Sequence, residues 1–334
     1  MKAIVVQKDG RLHWSDVPDP VCGSREVIVK IHATAVNRAD LLQRRGMYLP
    51  PAGATDILGL ECAGEIVATG VEHGSWQVGD RVCALLPGGG YAQFVNVPSR
   101  MLLPIPDNFS YEEAAALPEV FSTAYINLFS EGRLKKGEKC LIHAGASGVG
   151  TAAIQLARQA GADVYTTVGH SDKIALCEDL GARTVINYRE ADFFPVLVDL
   201  TKKRGVDVIL DMVGSTHLPK NLQLIRYRGR IVVIGLLGGT RSEIDLSLIL
   251  IKNVSLIGST LRNRSLAEKI RLTDRLARRV WPLLNEGIVK PVIDSVDSIL
   301  DIEAIHRRME ANESMGKLVL QIPHDVYQLP DSTT

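Results

Sequence analysis

The sequence lacks most of the signals that assign a chain to a specialised class. Its five cysteines stand scattered at positions 22, 62, 83, 140 and 177, an odd number with no C-x-x-C pair. That argues against a disulfide framework and a cysteine zinc site, and it suits a reducing compartment. The eight histidines, at 13, 32, 73, 143, 170, 217, 306 and 324, form no H-E-x-x-H and no His/Cys cluster, so no metal site is expected. Charge of either sign is not in excess: Lys plus Arg and Asp plus Glu are both 38. Nothing in that balance calls for nucleic acid or an anionic membrane as partner, and the basic run Arg271 to Arg279 reads as a solvated helix face. Long apolar runs are missing too. The first ten residues, MKAIVVQKDG, hold four apolar residues before charge returns, too few for a signal-peptide core. A soluble, cytoplasmic protein without a membrane partner is expected.

What is present is an ordinary globular composition, 334 residues and 46% hydrophobic, long enough for two domains. No internal repeat or low-complexity segment interrupts it. Up to about Val120 the segments are short and β-like (EVIVKIHAT, GEIVATG, RVCALL, AQFVNV), separated by Pro and Gly clusters. From about Lys139 strand-like and helix-like segments alternate: KCLIHA, VGTAAIQLARQA, DVYTTV, KIALCEDL, RTVINY, VDVILDMV, HLPKNLQLI, RIVVIG, NVSLIGS. Such alternation predicts an α/β domain with a doubly wound parallel sheet and helices on both faces. After Arg262 the stretch SLAEKIRLTDRLARRVWPLLNEG reads as a long helix.

The first strand of the alternating half runs into GASGVG, one substitution away from G-x-G-x-x-G. Gly145 meets the need for a tight turn, Ser147 stands where a backbone approaches a pyrophosphate, and Gly150 allows close helix packing. Gly148, Val149 and Gly150 open the helix, so its amides and dipole face the anion. A nucleophile elbow, G-x-S-x-G, would need glycine at 149 and finds Val149. Dinucleotide-binding units usually carry an acid about 20 residues further on that holds the adenosine ribose. Gly169 and His170 occupy that place, while Ser171 offers a hydroxyl and Lys173 a cation, which favours NADPH over NADH. Asp172 is a nearby acid that softens the preference. Without a metal, hydride transfer needs a ready acceptor such as a quinone or a conjugated enone.

The stretches AVNRADLLQRRGMYLPP, ILGLECAGEIVATG, VGDRVCALLPGGGYAQFVNVP, HAGASGVGTAAIQLA, INYREADF and MEANESMGKLVL cover nearly the whole chain. Together they resemble the zinc-free quinone oxidoreductases of the medium-chain dehydrogenase/reductase superfamily, most closely the subgroup of the tumour-suppressor-induced quinone oxidoreductase and its bacterial relatives. In zinc-dependent relatives a cysteine ligand stands where Asn37 does and a histidine where Leu60 does. The resemblance therefore implies a metal-free NADPH:quinone oxidoreductase. It implies a GroES-like β-rich substrate domain (1–119 and 263–334), a Rossmann domain (120–262) and an active site in the cleft between them. It places Asn37 and Tyr48 beside the nicotinamide, Tyr48 on the GMYLPP loop, and Ser147 near the substrate. Lys173 and Tyr188 match residues that hold the 2′-phosphate; Gly235, Leu236, Leu237 and Leu261 would flank the nicotinamide, and Lys317 would contribute to the cleft. His170 departs from the small residue usual at the start of the 2′-phosphate loop. A homodimer paired through NVSLIGST is the implied assembly. Two other readings stay open: an enoyl or enone reductase sharing cofactor and cleft, and a crystallin-like cofactor-binding structural or regulatory protein.

Overall fold

The structure is a computed structural model that describes residues 1–324. The polar tail 325–334, which the sequence reading places in the β-rich domain, lies outside the described residues. The chain divides into two compact units: Met1–Ser122 with the segment from Arg262 onward, and Thr123–Leu261. Its strands are β1 (Lys2–Val6), β2 (Leu12–Asp16), β3 (Glu26–Ala35), β4 (Glu61–Thr69), β5 (Arg81–Leu85), β6 (Phe94–Pro98), β7 (Leu102–Pro104), β8 (Lys139–Ile142), β9 (Asp163–Val168), β10 (Thr184–Asn187), β11 (Val206–Asp211), β12 (Ile225–Val233), β13 (Ser255–Gly258), β14 (Ile293–Ser298) and β15 (Lys317–Gln321).

In the first unit β14, β15, β3, β4, β5 and β7 form a sheet in that order, with β6 also on β3, while β1 and β2 form a separate ribbon. The long β3 carries most of the organisation. Its Val27, Val29 and Ile31 are buried at period two, and it pairs antiparallel with β4, β6 and β15. These residues pack with Ile66, Val82, Leu318 and Leu320 into one core, which the helix Ile302–Glu310 closes with Ile302, Ile305 and Met309. Burying each such side chain stabilises the unit by about 1.5–3 kcal/mol.

The second unit is a six-stranded parallel sheet of order β10-β9-β8-β11-β12-β13. Val206 to Asp211 are buried throughout, as a strand covered on both faces requires. Chain order runs outward from β8 to β10, then restarts beside β8 at β11. Right-handed crossovers then place successive helices on opposite faces and leave a crevice at the carboxyl ends of β8 and β11. In the helix Gly148–Gln159, which follows β8, the run Thr151 to Ala157 is buried, and its small residues let it lie close to the sheet.

Several helices occupy segments that the sequence reading leaves unassigned, among them Phe193–Leu200 and Leu246–Lys252. The first, FFPVLVDL, buries Phe193 and Leu197 one turn apart, but it is short and its mostly apolar run reads equally well as a strand. The long helix expected after Arg262 is two, Leu266–Arg279 and Trp281–Asn285, because Pro282 cannot continue the hydrogen-bond ladder. In the first of these Leu272 and Leu276 face inward while Arg271, Arg275, Arg278 and Arg279 are exposed, a solvated face.

Candidate functional site

At the carboxyl end of β8 the chain turns sharply through Ala144, whose φ is 54°, into the helix Gly148–Gln159. Gly145 N–H donates to Thr167 O at 2.9 Å, tying the turn to β9. A side chain at Gly150 would collide with the carbonyl oxygens of Ala144 and Gly145, so only glycine lets the helix start this close to the turn. Ser147 is the N-cap: its Oγ accepts from Gly150 N–H at 3.0 Å and its hydroxyl donates to Met212 Sδ at 3.5 Å. Neither partner is a base, so nothing activates Ser147 as a nucleophile. With Ser147 capping Gly150, the Gly148 and Val149 amides have no carbonyl of their own helix to meet and mark the positive end of its dipole. The arrangement fits a pyrophosphate.

Four other sequence-predicted positions gather at the ends of the neighbouring strands. Gly169 and His170 follow β9, and Ser171 and Lys173 form the next turn, Ser171–Lys173. Tyr188 follows β10 and is 46% exposed, and its hydroxyl would stand 2.5 Å from a Cβ at Gly169. A hydroxyl, an ammonium and a phenol thus share one corner in which the carboxylate nearest in sequence, Asp172, sits 3.9 Å from His170. Beside Tyr188 a pocket of about 250 Å³ is lined by Arg189, Phe193, His217 and Lys220 among others. Gly235, Leu236 and Leu237 follow β12, and the latter two are exposed; Leu237 and Gly238 N–H donate to Met212 and Val213 O, which holds this loop on the one after β11. Leu261, buried, is the last residue of the unit.

Beneath the turn lies a polar network that sequence reading missed. His143, the last residue before Ala144, is fully buried; its Nδ1 is 3.0 Å from Thr167 Oγ1 and its Nε2 2.9 Å from Asn221 Oδ1. Asn221 Nδ2 donates to Asp211 Oδ2 at 3.0 Å, and Asp211 Oδ1 accepts from the amides of Val213 and Gly214. Burial pulls the His143 pKa down to about 4, so the ring is neutral. Since Asn221 Oδ1 only accepts, Nε2 carries the hydrogen and Nδ1 accepts from the threonine. His217 stacks on Phe193 and meets the edge of His143, and burial also holds its pKa near 4.

In the first unit Asn37 begins the helix Arg38–Arg44, and its amide is fully engaged. Nδ2 donates to Glu61 Oε1 (2.8 Å) and Ala35 O (3.2 Å), and Oδ1 accepts from Lys317 Nζ at 2.6 Å. Lys317 Nζ also bonds Glu61 Oε1 at 2.7 Å and Val36 O at 3.0 Å, with side chains only 4% and 0% exposed. Glu61 Oε2 accepts from Glu119 N–H at 2.9 Å. Lys317, expected to contribute to the cleft, has all three ammonium protons engaged within this unit, where it fixes Asn37 and Glu61. Tyr48 is half buried on the loop after Arg38–Arg44, and burial raises its pKa, keeping the phenol protonated. Arg262 lies beneath it and donates to its carbonyl at 3.1 Å. Sequence reading gave neither Glu61 nor Arg262 a place in the site; the pairing of Glu61 with Lys317 spans 256 positions and leaves no local pattern. Among the described residues no group of three or more His, Cys, Asp or Glu is placed to hold a metal ion.

Comparison with known proteins agrees with both units. The family described as Alcohol dehydrogenase GroES-like domain matches residues 23–107, and Zinc-binding dehydrogenase matches residues 148–277. The chain is 34% identical over 311 residues to Highly-reducing polyketide synthase 1 of Aureobasidium melanogenum, covering 91% of this chain but spanning only 14% of that synthase's length. It is 32% identical over 321 residues to the rat synaptic vesicle membrane protein VAT-1 homolog, covering 90% of this chain and 78% of that protein. Among solved structures, a Pseudomonas syringae quinone oxidoreductase superposes with TM-score 0.85 at 29% identity, covering 96% and 99% of the two chains. Mycobacterial Rv1454c complexed with NADPH gives 0.86 at 29% identity, and the CurK enoyl reductase 0.84 at 29%, each with the same coverage. On this likeness, running through both the β-rich unit and the parallel-sheet unit, the chain belongs to the medium-chain dehydrogenase/reductase family.

Proposed function

We propose that this chain is an NADPH-dependent quinone oxidoreductase that needs no metal. The observation that carries the cofactor reading is the corner after β9: Gly169 and His170 stand where a ribose-binding acid would repel a 2′-phosphate, with Ser171, Lys173 and Tyr188 around them. The Gly145–Gly150 turn and the open end of Gly148–Gln159 would hold the pyrophosphate, with Ser147 fixing the turn rather than reacting. Bound NADPH supplies the hydride. The protein's own part is to orient and shield. Asn37, clamped by Glu61 and Lys317, presents a rigid polar wall, and the protonated Tyr48 can give its hydrogen to the reduced oxygen. Solved relatives named quinone oxidoreductase and in complex with NADPH support this choice.

Reduction of a conjugated enone or enoyl thioester is the second reading, favoured by the likeness to the CurK enoyl reductase and to polyketide synthases. NADPH and NADH oxidation against a set of small quinones and 2-enoyl thioesters decides. Turnover of quinones with NADPH is the expected result. Turnover of the thioesters alone establishes the second reading, and tight NADPH binding with neither reaction leaves the cofactor-binding structural role.

The proposal includes a homodimer. Among the described residues β13 is an edge strand with Leu256 exposed, and the helix Leu246–Lys252 that precedes it in the chain exposes Leu246, Leu250 and Ile251. Pairing with a second copy would cover the open ladder of β13. Light scattering should give twice the chain mass, and Leu256→Lys should shift it towards the monomer.

A further inference from the structure

Arg262 holds a guanidinium that the protein leaves partly unused. The residue is 5% exposed. Its Nε donates to Pro87 O at 2.8 Å and its Nη1 to Tyr48 O at 3.1 Å, but the buried Nη2 has no partner. The two occupied nitrogens meet neutral carbonyls, so its charge is not cancelled where it bonds. Lys269, whose Nζ donates to Arg262 O at 2.5 Å, adds a second cation, and burial followed by repulsion from Arg262 lowers the lysine pKa. The guanidinium carbon lies 5.5 Å from the centroid of the Tyr48 ring. A buried charged donor without an acceptor is costly, so a fold that keeps one in a fixed fork is prepared for an oxygen from outside.

We propose that Arg262 Nη2–H, on a guanidinium packed against the Tyr48 ring, is the site for the acceptor's oxygen. The inference rests on the oxidoreductase reading above and extends it by naming what recognises the acceptor: a cation tuned to a carbonyl oxygen that becomes anionic. As the electron pair of the hydride enters the conjugated system, the carbonyl π pair moves onto oxygen. The new C–H bond replaces the one broken in NADPH, the reductant; in an enone it is kept, whereas in a quinone its proton is then lost to solvent as the ring enolises to the hydroquinone. The oxyanion stays paired with Arg262 until it takes a proton from Tyr48 or water, and Arg262 keeps its own proton throughout. Such a site prefers acceptors whose oxygen carries charge early, and it binds stable anions of the same shape.

Equilibrium titration without NADPH tests this, using 2-hydroxy-1,4-naphthoquinone, an anion at neutral pH, and its neutral 2-methoxy ether. The wild type should prefer the anion. Arg262→Gln should weaken the anion about ten- to a hundredfold, the worth of one charge-assisted hydrogen bond, and the ether less than about threefold. Arg262→Lys, which keeps the charge but not the fork, should fall between and serves if the glutamine variant fails to fold. NADPH affinity should be unchanged in both variants. Equal losses for the two probes would mean that Arg262 only pins the Tyr48 loop, and that result overturns the proposal, as does failure of the wild type to bind the anion. If the wild type turns over neither quinones nor enones yet prefers the anion through Arg262, the acceptor assignment falls and the oxygen site stands. If quinones are turned over but the probes respond equally, the reverse holds.

Discussion

Replacing Lys317 by Met removes one member of a pair buried to 4% and 0% side-chain exposure. The change strips Glu61 of its only charged partner among the bonds described and leaves Asn37 Oδ1 and Val36 O without their donor. Removing one partner of a buried pair costs about 3–5 kcal/mol, largely because the other charge stays behind. Glu61→Leu should cost a similar amount, since it strands the ammonium together with the Asn37 amide and the Glu119 N–H. The double variant buries no charge and loses only neutral hydrogen bonds, so about 1–4 kcal/mol is expected. The coupling energy should therefore be on the order of 3 kcal/mol or more. Urea unfolding followed by tryptophan fluorescence reads it directly, because Trp14, Trp76 and Trp281 all lie in the first unit. If the two single losses simply add in the double variant, the pair does not act as one and its role in holding Asn37 is refuted.

Other outcomes follow from the same geometry. Lys173→Ala should weaken NADPH by about 1.5–3 kcal/mol and leave NADH nearly untouched, and equal losses measured by fluorescence titration would remove Lys173 from the phosphate site. Ser147→Ala should lose a helix cap, about 0.5–2 kcal/mol of stability, with a moderate drop in cofactor affinity. Acylation by a serine reagent that blocks turnover in the wild type and is lost in that variant would overturn the capping role. His143 and His217 both have pKa values near 4, depressed by burial below the ordinary 6.5. Their contribution to the second unit is complete above pH 6.5 and is lost as pH falls towards 4, because the unfolded chain takes up those protons first. Hydrogen exchange of β8 and β11 amides should show protection declining across that window, and a flat profile would contradict the buried neutral state.

The parts of the fold that were legible in the sequence are those written locally. The turn at Gly145–Gly150, the strands β8, β9 and β11 and the helix Gly148–Gln159 each follow from residues within a dozen positions of one another. The helix Phe193–Leu200 was not legible because a short, mostly apolar run reads equally well as a strand, and the break at Pro282 lies inside a strong helical rhythm. At the site, Ser147 was legible as a turn residue but not as a cap. Glu61, Asp211, Asn221 and Arg262 escaped because their meaning lies in partners brought near by folding: a lone acid in ECAGEIV carries no mark that a lysine will meet it. Lys317 was found through resemblance, yet its engagement with three oxygens could be seen only in the folded unit.

The chain from His143 through Asn221 to Asp211 has a direction. Asp211, as a carboxylate, can only accept, so it dictates which way the Asn221 amide faces, and that amide dictates which ring nitrogen of His143 holds the hydrogen. Three side chains from separate parts of the second unit thus share one permitted arrangement of protons, set at one end. Burial raises the Asp211 pKa while the amides of Gly214 and Val213 oppose it. A single proton arriving there would release the amide to turn over and the imidazole to change tautomer, loosening in one step the residue from which the Gly145–Gly150 turn departs.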